Sequence, residues 1–203
     1  MLISLDLWGT VISGNPEFSE KRYELIGNFF DDELPISYNE VVLKKNWYEV
    51  KKEADFLVEN FGVQPDLHTL WAKLFSNLGI KLNNFNKIKE FNSLYQSLFL
   101  KYPPFFLNGC DYLKNNSNLC ISSNTLFTQG KTLNKFLQSR GVNLPSKYSD
   151  CLNYSKPHSK MFWNTAYHIG DNSLTDGACE KYGIKFCNVN LKNAKQWVEE
   201  LKN

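Results

Sequence analysis

Leu5-Asp6-Leu7-Trp8-Gly9-Thr10 closes the first apolar segment of the chain, Leu2 to Leu7, and leaves a carboxylate where that segment ends. So short and largely apolar a run suits a buried parallel strand better than a helix. A tight Gly-Thr turn then holds Asp6 on the strand tip, where a carboxylate is well placed to be a nucleophile. Acids also follow a second apolar run, in Gly170-Asp171-Asn172-Ser173-Leu174-Thr175-Asp176. If that run is also a strand, two further carboxylates stand ready to hold a cation beside the first.

Between these stretches the periodicity changes. From Asn15 to Tyr102 it is helical, beginning with Asn15 as N-cap and Pro16 at the first helical position, with Phe18, Leu25, Ile26, Phe29 and Phe30 on one face. Ser37-Tyr38-Asn39-Glu40 has capping-box spacing for a second helix whose face is Trp47, Val50, Ala54, Leu57, Val58 and Phe61, stopped by Gly62. Asp66 caps a third, with Leu67, Leu70, Trp71, Leu74, Phe75 and Leu78 ahead of Gly79. A fourth carries Phe85, Ile88, Phe91, Tyr95, Leu98 and Phe99 and ends at Pro103-Pro104. Four amphipathic helices in succession predict a small bundle whose aromatic stripes are its core.

Beyond Pro104 strands and helices alternate. A helix is expected around Cys110 to Lys114, strands at Asn118 to Ser122, near Tyr148, at Ala166 to Gly170 and at Ile184 to Val189. Helices are expected from Lys131 to Ser139, from Ser173 to Gly183 and from Ala194 to Leu201. This alternation implies an α/β fold with a doubly wound parallel sheet. The expected division is a core of residues 1 to 14 and 103 to 203, with the helices of residues 15 to 102 inserted after the first strand.

The 203 residues suffice for one such core and an appendage. With 23 basic and 21 acidic side chains the formal charge is +2, and only Arg22 and Arg140 are arginines. Neither sign forms a run that points to nucleic acid or to an acidic membrane. Five cysteines without CxxC spacing indicate neither a disulfide framework nor a zinc site, so buried free thiols in a reducing cytoplasm are expected. Met1 runs directly into the first strand and no apolar stretch reaches bilayer length, so a soluble, cytoplasmic protein is expected. The sequence is silent on oligomeric state.

Four short elements fall in order at the ends of the predicted strands: Asp6 to Thr10, Ser123-Asn124, Lys156-Pro157, and Gly170-Asp171 to Asp176. With a helical insertion between the first two, this order resembles the haloacid dehalogenase-like (HAD) superfamily over nearly the whole chain. The resemblance implies a Rossmann-type core with a helical cap, and Asp6 as a nucleophile that becomes a covalent aspartyl intermediate. It implies that Thr10 orients the loop, that Ser123 hydrogen-bonds a transferring phosphoryl oxygen with Asn124 beside it, and that Lys156 neutralises developing charge. Ser122, one register away from Ser123, and Lys160, an alternate to Lys156, are the competing choices. It further implies Mg²⁺ held by Asp6, Asp171 and the backbone carbonyl of Trp8, with Asp176 supporting the site, and a small phosphorylated metabolite as substrate.

Trp8 departs from this pattern. In the superfamily's phosphatases that position is an acid, and general acid–base help typically contributes roughly 10² to 10⁴ in rate. The backbone carbonyl is unaffected, so Trp8 impairs protonation rather than metal binding. The dehalogenase branch carries an aromatic residue there, works without metal and grips its substrate with a cap arginine. Against that branch stand Asp171, Phe162 in place of an expected tyrosine, and the very early position of Arg22 in the insertion. A metal-independent 2-haloacid dehalogenase and a non-catalytic binding protein are therefore the alternatives to a Mg²⁺-dependent phosphatase or phosphotransferase. Of the histidines, His68 and His168 read as structural, and His158 as the one nearest the site.

Overall fold

The computed structural model describes residues 1–30, 39–81 and 85–202 of the chain. Five strands form one parallel sheet: β1 (Ile3–Leu5), β4 (Leu119–Ser123), β5 (Ser146–Tyr148), β6 (Tyr167–Gly170) and β7 (Lys185–Asn188). Their spatial order is β5-β4-β1-β6-β7, and every neighbouring pair runs parallel. The chain leaves central β1, builds one side, then returns to build the other. In open α/β sheets ligands bind outside the carboxyl ends of the strands at this reversal. Ile3 pairs with both Leu119 and Tyr167, and Leu5 with both Ile121 and Ile169, so Asp6 emerges at the reversal itself.

Two short strands, β2 (Ile12–Ser13) and β3 (Phe105–Phe106), pair antiparallel as a stem beside the sheet. Between them lie helices α1 (Pro16–Phe29), α2 (Glu40–Phe61), α3 (Leu67–Asn77) and α4 (Phe85–Lys101). Asn15 caps α1, its side chain accepting from Glu17 N at 2.9 Å while its Nδ2 donates to Pro103 O. The expected capping box at Ser37 lies outside the described residues; Asn39 caps α2, accepting from Val42 N at 3.0 Å. Asp66 caps α3 as its sequence predicts.

The buried stripe of α2 is Leu43, Trp47, Val50, Ala54 and Val58. Two residues expected on it are exposed, Leu57 by 40% and Phe61 by 63%. Leu57 falls on the flank of the stripe, and Phe61 in the last turn packs edge-on against Phe56 outside the core. Phe85, expected on the inner face of α4, is also exposed. Trp47, Trp71, Phe75, Phe91 and Tyr95 fill the centre of the bundle, most of their pairs edge-on or stacked as aromatic quadrupoles favour and Trp47 tilted against Trp71. Trp47 also reaches Phe127, in the loop after β4, at 4.3 Å between centroids.

Buried polar groups fasten the helices to that loop. Trp71 Nε1 and Gln96 Nε2 both donate to Asn92 Oδ1, while Gln96 Nε2 also donates to Phe127 O and Gln96 Oε1 accepts from Gln129 N. Around the sheet pack α5 (Gly130–Ser139), α6 (Ser149–Leu152) and α7 (Ala194–Lys202). Two expected helices are shorter than their sequences suggest. Residues around Cys110 form a single 3-10 turn, Asp111–Leu113. The stretch after Ser173 is a turn followed by a 3-10 segment, Gly177–Tyr182, because Asn172 Oδ1 captures the amides of Leu174 and Thr175 and the Asp176 side chain turns inward. Such side-chain capture competes with helical pairing. Among the described residues no helix is long and apolar enough to cross a membrane.

Candidate active site

A cavity of about 500 Å³ lies between the inserted helices and the carboxyl ends of the strands. Asp6, Trp8, Asn124, Lys156, Asp171 and Asp176 line it. These six residues come from four separate stretches of sequence, and the sheet brings them together.

Asp6 follows β1 with its amide donating to Ile169 O at 2.8 Å. The chain then doubles back, Val11 N and Ile12 N both donating to Leu7 O, and Gly9 takes a φ of +73°. Glycine is required at this position twice over. A left-handed φ strains other residues, and a Cβ on Gly9 would collide with the Asp171 carboxylate. Gly170 has the same function one strand away, because a Cβ there would strike Asp176.

Lys156 is fully buried, and its Nζ donates to Asp6 Oδ1 at 2.6 Å and to Asp176 Oδ1. Asn124 holds it in place from the main chain: Asn124 Oδ1 accepts from Lys156 N at 2.7 Å and Asn124 Nδ2 donates to Lys156 O at 3.1 Å. Both ends of this amide thus bond the main chain of Lys156, and Asn124 also lines the cavity. Lys160, the alternate lysine, is exposed and lies over the Tyr154 ring.

Asp176 continues the network inward. Its Oδ1 meets His168 Nε2 at 3.1 Å, its Oδ2 accepts from Asn172 N, and His168 Nδ1 lies 2.7 Å from Ser4 Oγ. Burial holds the imidazole pKa below its ordinary value, which favours a neutral ring donating from Nε2 to Asp176 and accepting at Nδ1 from Ser4. His168, rather than His158, is therefore the histidine tied to the site. A strand-interior His two residues before Gly170 was the available signal, but its partner eight residues on was invisible to periodicity.

Ser123 ends β4 fully buried, with Oγ donating to Asn124 O at 3.3 Å, and is not among the lining residues. Ser122 points elsewhere, donating to Met161 O. Thr10 is buried beneath the loop with a hydroxyl that has no hydrogen-bond partner. Trp8 lines the cavity, and its indole lies edge-on to Phe99 at 6.2 Å. Arg22, set apart by its early position in the sequence, also lines the cavity: its guanidinium stacks on Trp47 and Tyr23 and donates to Tyr23 Oη. Phe162 packs on His168 in the core.

Carboxyl groups outnumber the ammonium here. Asp6, Asp171 and Asp176 have oxygens all within 4.8 Å of one another, and Lys156 is the ammonium between them. Burial pushes Asp6 up to about 7, with Lys156 opposing and Asp176 reinforcing the rise. Burial would raise Asp176 as well, but Lys156 and His168 outweigh it and hold that carboxyl well below its usual range. Asp171 is raised by burial and by Asp176. One ammonium faces three carboxyl groups, two of them, Asp6 and Asp171, raised by their surroundings, and an all-oxygen set of this kind fits a hard divalent cation whose charge would favour their ionised forms.

No family model and no curated protein sequence matches the chain. Solved structures do match its fold. YfnB from Bacillus subtilis, described as a HAD-hydrolase and bound to magnesium, is similar at a TM-score of 0.62 and 16% identity, over 94% of this chain and 87% of that one. The 2-haloacid dehalogenase from Pseudomonas syringae pv. Tomato DC3000 is similar at 0.57 and 12% identity, over 91% and 84%. The L-2-haloacid dehalogenase from Xanthobacter autotrophicus, with chloropropionic acid covalently bound, gives 0.52 and 12%, over 93% and 77%. The chain therefore has the haloacid dehalogenase-like fold. Its structural neighbours include a magnesium-bound HAD-hydrolase and 2-haloacid dehalogenases.

Proposed function

We propose that the protein is a HAD-type hydrolase that transfers a phosphoryl group from a small phosphorylated metabolite to Asp6 with the help of Mg²⁺. The observation that carries this reading is the partly exposed Asp171 beside Asp6 and Asp176, a cluster of carboxylate oxygens of the kind that holds a hard cation. Asp6, Asp171 and the Trp8 carbonyl would hold the ion, with Asp176 close enough to join them. The ion, when bound, supplies charge neutralisation at the transferring phosphoryl group.

The chain's own residues do the rest. Asp6 attacks phosphorus and carries the phosphoryl group as an acyl phosphate. Lys156, fixed by Asn124 and Asp176, keeps Asp6 oriented and offers its ammonium to the equatorial oxygens. The inserted helices, acting as a cap, roof the cavity with Phe18, Trp47 and Tyr95 and keep bulk water from the acyl phosphate. Small phosphorylated metabolites, rather than nucleic acid or membrane, are the proposed partners.

Trp8 and Arg22 favour a second reading, metal-independent 2-haloacid hydrolysis. Halide leaves without a proton, and Arg22 lines the cavity where a substrate carboxylate could meet it. One panel separates the two: phosphate monoesters, acyl phosphates and 2-haloacids, each with and without Mg²⁺, for the unaltered protein, Asp6→Asn and Trp8→Asp. Mg²⁺-dependent phosphate release that Asp6→Asn abolishes is the expected result. Halide release without metal would replace it with the second reading. Complete inertness of the unaltered protein, with activity gained by Trp8→Asp, would assign a binding function instead.

A further inference from the structure

Phosphoryl transfer from an alkyl phosphate releases an alkoxide that needs a proton donor, and Trp8 occupies the place where one is expected. Five acidic side chains line the cavity: Asp6, Asp55, Glu59, Asp171 and Asp176. Three of them form the carboxylate cluster. Asp55 is ion-paired with Lys51 one turn away on α2. That leaves Glu59, which takes part in no ion pair among the described residues.

Glu59 faces the strand ends from across the cavity. Its Oε1 lies 3.4 Å from Asn172 Nδ2, and Asn172 directly follows Asp171. The α2 turn that carries it is fastened to the core just beyond. Ser155 N donates to Gly62 O at 2.9 Å, Val63 bridges Tyr154, and Ser155 Oγ donates to Gln64 Oε1 at 2.9 Å. Ser155 immediately precedes Lys156, so the end of α2 and the loop that delivers the lysine are joined by main-chain bonds. Gly62 permits the junction: its φ is +62°, and a Cβ there would lie 3.1 Å from Ser155 O.

We propose that Glu59, supplied by the inserted helices, is the general acid and base of this site. The role rests on the phosphoryl-transfer reading above. In the first step Asp6 forms a bond to phosphorus, the bond from phosphorus to the ester oxygen breaks, and the Glu59 carboxyl gives its proton to the departing alkoxide. In the second, the Glu59 carboxylate takes a proton from water as that water attacks phosphorus. The bond from phosphorus to Asp6 breaks, inorganic phosphate leaves, and Glu59 is protonated again.

The test is Glu59→Gln measured on two esters with Mg²⁺: an alkyl phosphate, whose leaving group needs a proton, and p-nitrophenyl phosphate, whose leaving group does not. For the alkyl ester kcat/KM should fall by roughly 10² to 10⁴, the usual worth of a general acid, while for the nitrophenyl ester it should change less than about tenfold. Intact-mass spectra of Glu59→Gln during turnover of the nitrophenyl ester should show the protein carrying one phosphoryl group, because water is no longer activated. Equal losses on both esters, no loss on either, or no accumulated phosphoprotein would overturn the role of Glu59 alone. An unaltered protein that turns over neither ester would overturn the phosphoryl-transfer reading itself, and this role with it.

Discussion

Lys156 Nζ lies 2.6 Å from Asp6 Oδ1, a buried ion pair between residues 150 positions apart in sequence. Removing one partner of such a pair leaves the other charge without compensation, typically at a cost of about 3 to 5 kcal/mol. Here the lysine also serves Asp176. Lys156→Met is accordingly expected to lower unfolding stability by about that amount. Urea titration near neutral pH checks it, and a loss below ~1 kcal/mol would mean that the two carboxylates find another counter-charge.

Gly9 and Asp171 occupy adjoining space. Gly9→Ala is expected to cost at least ~1 kcal/mol from its left-handed φ and to push the Asp171 carboxylate out of the cluster. Calorimetric titration should then show weakened Mg²⁺ binding. Gly14→Ala is the control, since nothing lies within 4 Å of a Cβ there, and unchanged Mg²⁺ affinity in Gly9→Ala would contradict the proposed ligand role of Asp171.

Asp171→Asn tests the same carboxylate cluster by thermal unfolding. In the unaltered protein, Mg²⁺ at about one hundred times its Kd should stabilise the fold by ~2.7 kcal/mol. The variant should lose this gain. Without metal it should be no less stable than the unaltered protein, because one of three mutually repelling carboxylates is gone. Full retention of the Mg²⁺-dependent shift would exclude Asp171 from the ion's shell.

Alkaline pH should weaken the fold. Burial pushes Cys120, Cys179, Tyr95 and Tyr148 up to about 12, from ordinary values of 9.0 for the thiols and 10.0 for the phenols. Between those limits the unfolded chain has released protons that the folded chain still holds. Their contribution is therefore complete below about pH 9 and is lost progressively toward about pH 12. Urea midpoints measured across that window should fall steadily, whereas a flat profile would show that these groups ionise alike in both states.

Local signals in the sequence carried much of this architecture. Asn15-Pro16, Asp66 and the spacing of Trp71, Leu74 and Phe75 specify helix starts and faces through contacts within a few residues, and the structure places them accordingly. The tips of β1 and β6 likewise announce Asp6 and Asp171. What stayed hidden depends on partners remote in sequence. Asn124 is spent on the backbone of Lys156, 32 residues away, and Glu59 approaches Asn172 across 113. Periodicity tells which side chains are buried, but not which ones they meet. The helix expected after Ser173 failed for the same reason, since the inward pull of Asp176 toward Lys156 is tertiary and overrides local preference.

The stem formed by β2 and β3 has a consequence for how the molecule can change. Ser13 pairs with Phe105, so the two points where the chain leaves and rejoins the sheet are adjacent strands. The inserted segment therefore has both of its ends fixed at one strand spacing, and the entropy of closing such a segment grows only slowly with its length. The roof over Asp6 is closed at its base by this stem but is also tied to the loops beyond β4 and β5 through Gln96, Gly62 and Gln64, so a segment put in its place would have to supply those bonds as well.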